Sequence, residues 1–380
     1  MRRQIFDEFH EEFRGLCRSF FERECVPHTE KWEADGQVSR EAWLQAGRLG
    51  LLAWDVPEEF GGAGTTDFRL NAVQAEEFWA TGTVGIGLGI QNDVIPPYLI
   101  DLTTSEQKAR WLPGVVSGET ITAIAISEPG AGSDIRSIAT TAHREGDEYV
   151  IHGSKTFISN GFMADLVVVA CKTRPEDGHR GISLIAVESG RPGFERGRKL
   201  DKIGQHARDT AELSFQDVRV PVENLIGEEG EGFYYMMRNL PRERLGIAVH
   251  GAAAAQRAYQ ITLDYARNRE AFGTPISNFQ VNRHALAEMH TKLQVLQTYL
   301  DQCTVALNTG DLTAAEAAGA KWWSTETQWE IIDRCLQMYG GYGYVNEYEI
   351  ARIWRDSRVQ RIYGGTNEIM KDLIGRALGC

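Results

Sequence analysis

Glu243 is the side chain whose sequence context best suits proton transfer. It lies in NLPRERLGIAVHGAAAAQ (residues 239–256), and no Asp, Glu, Lys or Arg follows from residue 245 to residue 256. A solvated helix would carry charges throughout, so this helix is predicted to be buried nearly all round. A carboxyl group that is buried without a basic partner has a raised pKa, which suits a general base. The alternative is a charge at the start of a helix that simply reaches solvent.

The helical neighbours of Glu243 offer it no ion-pair partner. Side chains three, four, seven or eight positions away share its face of the helix. None of these is Lys or Arg; the residues are Asn239, Leu240, Gly246, Ile247, His250 and Gly251.

A second segment, RIYGGTNEIMKDLIGRAL (residues 361–378), has the features of a site that holds a polarised group. Gly364 and Gly365 predict a tight turn, and Thr366 or Asn367 can cap the helix that follows. Exposed N–H groups at such a helix start bind an anion or a carbonyl oxygen. The turn itself carries no acid or base, so the proton-transferring group must come from elsewhere in the chain.

The loop AISEPGAGSD (residues 125–134) follows an apolar strand and consists mostly of small residues. Its glycines leave backbone N–H groups open to a flat or phosphorylated ligand. Ser127 and Ser133 add hydroxyl groups that can donate to ring or carbonyl atoms. Taken alone, this loop is more typical of an ordinary turn.

The segment KTFISNG (residues 155–161) places Phe157 two residues before Ser159. On a strand these two side chains point to the same face, so one ligand ring could be flanked and hydrogen-bonded together. Alone this segment is more typical of a hairpin. In combination with the preceding loop it favours an aromatic cofactor.

Two further segments are candidates for a nucleotide site. RNREAFGTPISNFQ (residues 267–280) ends one helix and starts the next, and the forked guanidinium of Arg269 suits pyrophosphate oxygens. LQMYGGYGYVNEY (residues 336–348) is a glycine-rich corner that could admit an adenosine. The alternative is that both are plain helix–loop–helix corners.

The elements around these motifs form three zones and predict an α+β protein. Residues 1–119 have helical patterns, residues 120–232 have short β runs separated by turns, and residues 233–380 are helical again. No alternating βαβ pattern occurs. VGIGLGI (residues 84–90) lacks the third glycine of a dinucleotide fingerprint and follows no strand. We interpret it as close packing of a buried helix; its glycines also hint at room for a long or bulky ligand chain.

Composition excludes several classes of protein. The 380 residues are 42% hydrophobic and 24% charged, as in ordinary globular proteins, and the net charge of -13 argues against nucleic acid as a partner. The six cysteines are scattered without a CxxC pair, which suits reduced thiols. We see no membrane span, no metal motif and no signal or transit segment, and we therefore expect a cytoplasmic protein.

Taken together, these motifs resemble the acyl-CoA dehydrogenase family over essentially the whole chain. EPGAGSD, KTFISNG, RNREAFG, QMYGGYGY and IYGGTNEIM match the family's motifs in order and spacing. The resemblance implies an N-terminal helical domain, a middle β-barrel or sandwich domain and a C-terminal four-helix bundle. It also implies FAD between the last two domains and, usually, a homotetramer.

The resemblance assigns roles to individual residues. Thr366 and Glu368 would hold the diphosphate side of the chain's own FAD, although an acid such as Glu368 also complements a helix dipole. Contacts near the flavin are expected from Ser127, Gly132, Ser133, Phe157, Ile158 and Ser159. Contacts with the FAD of a neighbouring subunit are expected from Arg269, Phe272, Gln280, Gln337, Gly340 and Gly341. Contacts with the substrate are expected from Ser133, Arg244, Gly364 and Gly365.

The catalytic base is where this chain departs from many family members. They place a glutamate where this sequence has Gly364. The long-chain and isovaleryl branches instead use a glutamate of an ER pair on the preceding bundle helix, and Glu243-Arg244 occupies that place. The chain is therefore most similar to the long-chain branch, with Glu243 as the base.

The resemblance implies α,β-dehydrogenation of an acyl-CoA to a trans-2-enoyl-CoA. The thioester carbonyl would be held by the N–H of Gly364 and a ribityl hydroxyl of FAD, while Glu243 removes the α-proton. Electrons would pass to an electron-transfer flavoprotein. Three alternatives remain: a dehydrogenase of carrier-protein thioesters, a flavin oxidase or monooxygenase, and a non-catalytic thioester binder. The acyl chain cannot be read from these motifs.

Overall fold

The computed structural model describes residues 3–82 and 85–380. Met1, Arg2, Thr83 and Val84 lie outside the described residues, and so do the parts of the leader and VGIGLGI predictions that fall on them. The described elements follow in the order helices, strands, helices. This order confirms the predicted α+β class, while the domain limits at residues 119 and 232 stay predictions.

The N-terminal part is helical, and side-chain caps define where two of its helices begin. Asp7 and His10 form a capping box at the first helix, and Thr104 and Gln107 form another at the sixth. Each box satisfies N–H groups that have no partner within the helix. The helices are α1 (Glu8–Phe20), α2 (Thr29–Asp35), α3 (Arg40–Arg48), α4 (Arg69–Ala80), α5 (Ile95–Leu102) and α6 (Ser105–Ser117).

The middle part is a sheet whose central strands are covered on both faces. Its strands are β1 (Thr122–Ala125), β2 (Thr141–Glu145), β3 (Glu148–Ser159), β4 (Leu166–Lys172), β5 (Ile182–Glu188), β6 (Phe194–Lys199), β7 (Thr210–Pro221) and β8 (Leu225–Ile226). The described strands follow the order β6-β7-β3-β2-β4-β5-β8, and β1 pairs with β4 in parallel. Alternate side chains of β4 enter two different apolar clusters, which explains its continuous apolar sequence.

The C-terminal part is built around α7 (Gly232–Asn268), a helix of 37 residues. Side chains 244–249 and 251–255 of α7 are buried, so the prediction of a helix buried nearly all round is confirmed. The short strands β9 (Glu270–Ala271) and β10 (Thr274–Pro275) form a hairpin after it. The remaining helices are α8 (Gln280–Thr309), α9 (Ala314–Met338), α10 (Glu349–Ser357) and α11 (Asn367–Ala377).

The N-terminal helices cover the segment of α7 that carries Glu243. Phe68 and Ala72 from the start of α4 share one buried cluster with Leu245 and Ala248 of α7. Full burial of a leucine side chain contributes about 2 kcal/mol. This segment of α7 is therefore enclosed by packing between two parts of the chain that lie far apart in sequence.

Three further properties bear on the classes of function considered above. No helix of the described residues has the length and apolarity needed to span a membrane. The described residues also contain no group of three or more His, Cys, Asp or Glu side chains that could hold a metal ion. The six cysteines are free thiols; five are buried and Cys380 is exposed.

Candidate active site

Glu243 lies on α7, facing α5 of the N-terminal part. The hydroxyl of Tyr98 donates a hydrogen bond to Glu243 Oε1 at 3.1 Å. Within the described residues, no Lys or Arg nitrogen forms a salt bridge with Glu243. Arg242 instead pairs with Asp55 at 3.0 Å. The Glu243 residue is half-buried, so its side chain is not sealed off from solvent.

The electrostatics of this position suit a general base. Burial raises the pKa of Glu243 to about 7, while the Tyr98 hydrogen bond and the charge of Arg244 act in the opposite direction. The negative charge of Asp93 adds a smaller increase. A base with a pKa near the working pH combines a large ionised fraction with useful proton affinity.

The carboxylate of Asp93 packs against Gly89 and Gly246, where the absence of a side chain leaves room for it. Its Oδ2 would lie 3.1 Å from a Cβ added at Gly89 and 3.0 Å from one added at Gly246. Asn71 Nδ2 donates to its other oxygen, and burial raises the pKa of Asp93. Gly246 lies one helical turn after Glu243, so a second carboxylate stands beside the proposed base.

The other glycines of the VGIGLGI segment are packed against protein atoms. A Cβ at Gly85 would lie 2.8 Å from Trp32, and one at Gly87 would lie 3.4 Å from Arg208. The room for a ligand chain that the sequence hinted at is therefore filled at these positions. The close packing predicted for this segment is supported, but the predicted helix is wrong, because residues 85–88 are irregular and a π-helix begins only at Ile90.

Gly364 and Gly365 form the turn expected from the sequence. Their φ angles of 67° and 92° lie in the left-handed region that favours glycine. A Cβ at Gly364 would overlap Ile247 of α7, and one at Gly365 would lie 2.6 Å from Met370 Cε. Thr366 is the N-cap of α11, and its side chain accepts from the N–H of Ile369 at 3.4 Å.

Two cationic side chains hold this turn from inside the bundle. Arg244 Nε donates to the carbonyl oxygen of Gly364 at 3.2 Å, and Lys321 Nζ donates to that of Gly365 at 2.8 Å. Lys321 also donates to Asn367 Oδ1 at 2.8 Å. The N–H groups of Gly364 and Gly365 make no hydrogen bond to any described residue. The turn therefore has two donors free for a carbonyl oxygen.

Lys321 has no carboxylate partner within salt-bridge distance among the described residues, and its side chain is fully buried. Burial, and after it the nearby charge of Arg244, lower the pKa of Lys321 to about 7. Sequence reasoning missed this residue. Its only sequence signal is a lysine in the mostly apolar segment AAGAKWW.

Phe157 and Ser159 project from the same face of β3. The ring of Phe157 is 70% exposed and its φ is 61°, a strained conformation for a bulky residue. A register shift between Lys155 and Ile158 produces this local distortion. Ile158 points the other way and is buried in the β core, so only its backbone could reach a cofactor.

The loop after β1 is fixed beside Phe157 by a buried ion pair. Lys155 Nζ donates to Glu128 Oε1 at 2.8 Å and to the carbonyl oxygen of Ile126 at 3.0 Å. The carbonyl oxygen of Ser127 accepts from the N–H of Thr156 at 2.9 Å. Sequence reasoning did not identify this pair, which brings Ser127 next to Phe157. Gly132 and Ser133 are exposed farther along the same loop.

A second candidate site lies at the far end of α7. A cavity of about 670 Å³ is lined by Arg269, Gly340 and Gly341 together with the stacked rings of Tyr265 and Tyr339, whose centroids are 4.0 Å apart. The helix places Arg269 about 39 Å from Glu243. This cavity is therefore separated from Glu243 by most of the length of α7.

The remaining predicted residues lie outside this cavity lining. Phe272 is 98% exposed with a φ of 53°. Gln280 and Gln337 are exposed as well. Glu368 is exposed in the first turn of α11, where its pKa is lowered chiefly by a backbone hydrogen bond. Phe272 lies in the turn of the β9–β10 hairpin, and its ring meets that of Phe279 edge-on with centroids 6.2 Å apart.

Sequence models of the acyl-CoA dehydrogenase N-terminal, middle and C-terminal domains match residues 7–119, 123–218 and 230–379. The chain is 44% identical to the mitochondrial long-chain specific acyl-CoA dehydrogenase of Rattus norvegicus, over 99% of this chain and 88% of that protein. It shares 47% identity and a TM-score of 0.97 with an acyl-CoA dehydrogenase structure from Geobacillus kaustophilus, covering 100% of both chains.

A glutaryl-CoA dehydrogenase structure from Mycobacterium smegmatis, in complex with FADH2, has a TM-score of 0.91 and 25% identity, over 98% of this chain and 95% of that one. The resemblance inferred from the motifs is thus confirmed along the whole chain. Three domain models in sequence order, together with a relative of 44% identity, establish that this chain belongs to the acyl-CoA dehydrogenase family.

Proposed function

We propose that this protein is an FAD-dependent acyl-CoA dehydrogenase that converts a fatty acyl-CoA to the trans-2-enoyl-CoA, with Glu243 as the base. Membership of the family and the long-chain relative support the class of reaction. The observation that carries the proposal is the pairing of a buried carboxylate with the Gly364 turn. Glu243 supplies the carboxylate, and the next residue of α7, Arg244, connects the helix to the turn by donating to the Gly364 carbonyl oxygen.

The residues on the β face fit FAD. The exposed ring of Phe157, held in a strained backbone conformation, has no ring or cation partner among the described residues, and a flat ring system would cover it. Ser159 lies two residues along the same strand, and the backbone of Ser127 is bonded to that of Thr156, so both serines offer a hydroxyl group close to this part of β3. Cβ atoms at Gly130 and Gly132 would meet no atom within 4 Å, so their backbone is open to a close ligand.

Each catalytic group of the chain has a separate task. The free N–H of Gly364 donates to the thioester carbonyl oxygen and stabilises the negative charge that develops there. This polarisation acidifies the α-carbon, and the carboxylate of Glu243 takes its proton. FAD, when bound, accepts the β-hydrogen as hydride. Arg244 and Lys321 keep the turn's carbonyl groups pointing into the bundle, so that its N–H groups face the substrate.

The cavity lined by Arg269, Gly340 and Gly341 supports a homo-oligomer in our proposal. It lies too far from Glu243 to serve the same FAD and is open to a nucleotide from a neighbouring subunit. We propose a homotetramer with electron-transfer flavoprotein as electron acceptor, as the family resemblance implies. The cytoplasmic location expected from the sequence stays a prediction.

Anaerobic reduction of the FAD-loaded protein tests this proposal. Butyryl-, isovaleryl-, octanoyl- and palmitoyl-CoA are mixed with the yellow protein, and loss of flavin absorbance is followed together with the enoyl-CoA product. We expect the fastest reduction with palmitoyl-CoA. Absence of reduction by every thioester would leave the non-catalytic binder or the carrier-protein dehydrogenase. Rapid reoxidation by oxygen, rather than by electron-transfer flavoprotein, would indicate an oxidase or monooxygenase.

A further inference from the structure

Tyr98 contacts the proposed base but has no part in the reaction described above. Its hydroxyl is 3.1 Å from Glu243 Oε1, and its side chain is 1% exposed. It reaches Glu243 from α5, whereas every other group proposed for the reaction lies in the middle or C-terminal part. A buried phenol directed at a catalytic carboxylate changes both the position and the proton affinity of that carboxylate.

We propose that Tyr98 is a positioning residue for Glu243. Its hydroxyl holds one carboxylate oxygen and leaves the other free to take the α-proton, and it keeps the carboxylate ionised in a site without a basic partner. This inference rests on the proposed role of Glu243 as the base.

The direction of this hydrogen bond follows from the surroundings of the phenol. Burial, and then the charge of Glu243, raise the pKa of Tyr98 well above its ordinary value. The phenol therefore keeps its proton throughout the pH range in which Glu243 titrates. Tyr98 is the donor and the carboxylate of Glu243 is the acceptor. A hydrogen bond to the ionised form of an acid favours ionisation.

The two arginines beside Glu243 in sequence are directed elsewhere. Arg242 Nη2 donates to Asp55 Oδ2 at 3.0 Å and to the carbonyl oxygen of Asn92 at 3.3 Å. Arg244 Nε donates to the carbonyl oxygen of Gly364. A guanidinium paired directly with Glu243 would lower the carboxyl pKa by about 1–3 units and weaken the base. A neutral phenol fixes the carboxylate at a smaller loss of basicity.

The other charges that face Glu243 do not replace Tyr98. Asp93, packed against Gly246, acts to raise the pKa of Glu243, while Arg244 acts to lower it. Asp55 is compensated by Arg242. Within the described residues, Tyr98 is the single hydrogen-bond donor to the Glu243 carboxylate. Its loss would leave the carboxylate unsatisfied beside another acid, so its proton affinity should rise.

The test compares Y98F with Y149F in the FAD-loaded protein. Tyr149 is a matched control because its hydroxyl also donates to a glutamate, Glu229, at 2.9 Å, but in the middle part of the chain. The protonation of Glu243 is followed by infrared titration of protein labelled with carbon-13 glutamate, and E243Q identifies its band. The pH dependence of flavin reduction by palmitoyl-CoA is measured by stopped flow under anaerobic conditions.

We expect Y98F to raise the pH at which Glu243 is half-protonated by about 1 pH unit. The pH at which the rate of flavin reduction falls off on the acid side should rise by the same amount. Reduction would then be about tenfold slower below the wild-type midpoint and close to the wild-type rate well above it. Y149F should leave both midpoints unchanged. An unchanged Glu243 midpoint in Y98F, or an equal shift in Y149F, overturns the proposal.

A second variant separates the hydrogen bond from packing. Difluorotyrosine at position 98 has a more acidic phenol and is a stronger donor, so it should lower the Glu243 midpoint. A rise in the midpoint with this residue contradicts the proposal. The infrared titration needs no turnover, so it decides the role of Tyr98 even if no acyl-CoA reduces the flavin. A failure of every acyl-CoA to reduce the flavin would refute the proposed function but not the role of Tyr98.

Discussion

Arg244 Nε donates to the carbonyl oxygen of Gly364 at 3.2 Å and thereby ties the helix that carries Glu243 to the turn with free N–H groups. The two residues are 120 positions apart in sequence. Because Arg244 immediately follows Glu243, a shift of the turn would be transmitted to Glu243. In the proposed mechanism, proton removal and carbonyl polarisation are therefore coupled through this hydrogen bond between α7 and the turn before α11.

Replacement of Glu243 by glutamine should stop the chemistry and leave the cofactor bound. Glutamine keeps the size of the side chain and can accept the Tyr98 hydrogen bond, but it cannot take a proton. We expect flavin reduction by palmitoyl-CoA to slow by at least about 1000-fold. The matched control is E229Q, which changes the other Tyr-bound glutamate. A reduction rate for E243Q within tenfold of wild type would rule out Glu243 as the base.

The same substitution should make stability depend differently on pH. The folded-state pKa of Glu243 is raised from 4.5 to about 7, so the folded protein binds more protons than the unfolded chain between these values. The contribution of Glu243 to stability is therefore present below pH 4.5 and is lost as the pH rises through 7. Residue 243 does not titrate in E243Q, and we expect this variant to be up to about 3 kcal/mol more stable than wild type above that range.

Unfolding by urea at several pH values measures this difference. The stability gap between E243Q and wild type should close as the pH falls toward 4.5. A gap that is constant with pH would show that Glu243 is not buried with a raised pKa.

Alanine at position 364 should impair carbonyl binding. Its Cβ would overlap Ile247, and a φ of 67° is unfavourable for alanine. Displacement of one oxyanion donor lowers the rate by roughly 100-fold, and we expect that loss in kcat for palmitoyl-CoA. The double variant G364A/I247A relieves the overlap but not the backbone strain, so it should recover only part of the rate.

G375A is the matched control for this substitution. Gly375 lies in α11, where an added Cβ meets no atom within 4 Å. We expect normal kcat and a gain in stability of up to about 1 kcal/mol. Normal kcat in G364A as well would contradict the assignment of the turn to the thioester carbonyl.

Methionine at position 155 should weaken FAD binding. It removes the cation from a buried pair and leaves Glu128 as an uncompensated charge, which costs about 3–5 kcal/mol. The loop that carries Ser127 and Ser133 would lose its anchor to β3. We expect a lower Tm and a higher Kd for FAD, measured by fluorescence titration.

K292M is the control for this change, because Lys292 pairs with Glu330 where both side chains are partly exposed. Loss of such a pair changes stability by less than about 1 kcal/mol. An unchanged FAD Kd in K155M would show that the loop does not contribute to the cofactor site.

Local spacing was sufficient to predict several parts of the site. The charge-free run after Glu243 predicted a buried helix, because the distribution of charged residues around a helix indicates which of its faces contact solvent. The pair Gly364-Gly365 followed by Thr366 predicted the turn and the N-cap. Phe157 and Ser159 were predicted to share a face from strand geometry alone. Each of these inferences concerns residues within a few positions of one another.

Contacts between distant segments were decided by the tertiary structure. No rule of sequence spacing predicts three pairs of residues that are hydrogen-bonded in the structure: Tyr98 with Glu243, Lys321 with Gly365, and Lys155 with Glu128. The glycines of VGIGLGI gave a misleading hint of space, because Trp32 and Arg208 fill it from other segments. The amino-acid sequence by itself therefore determined which groups can do the chemistry. Only packing decided which neighbours orient them and set their pKa values, because both depend on groups brought close by the fold.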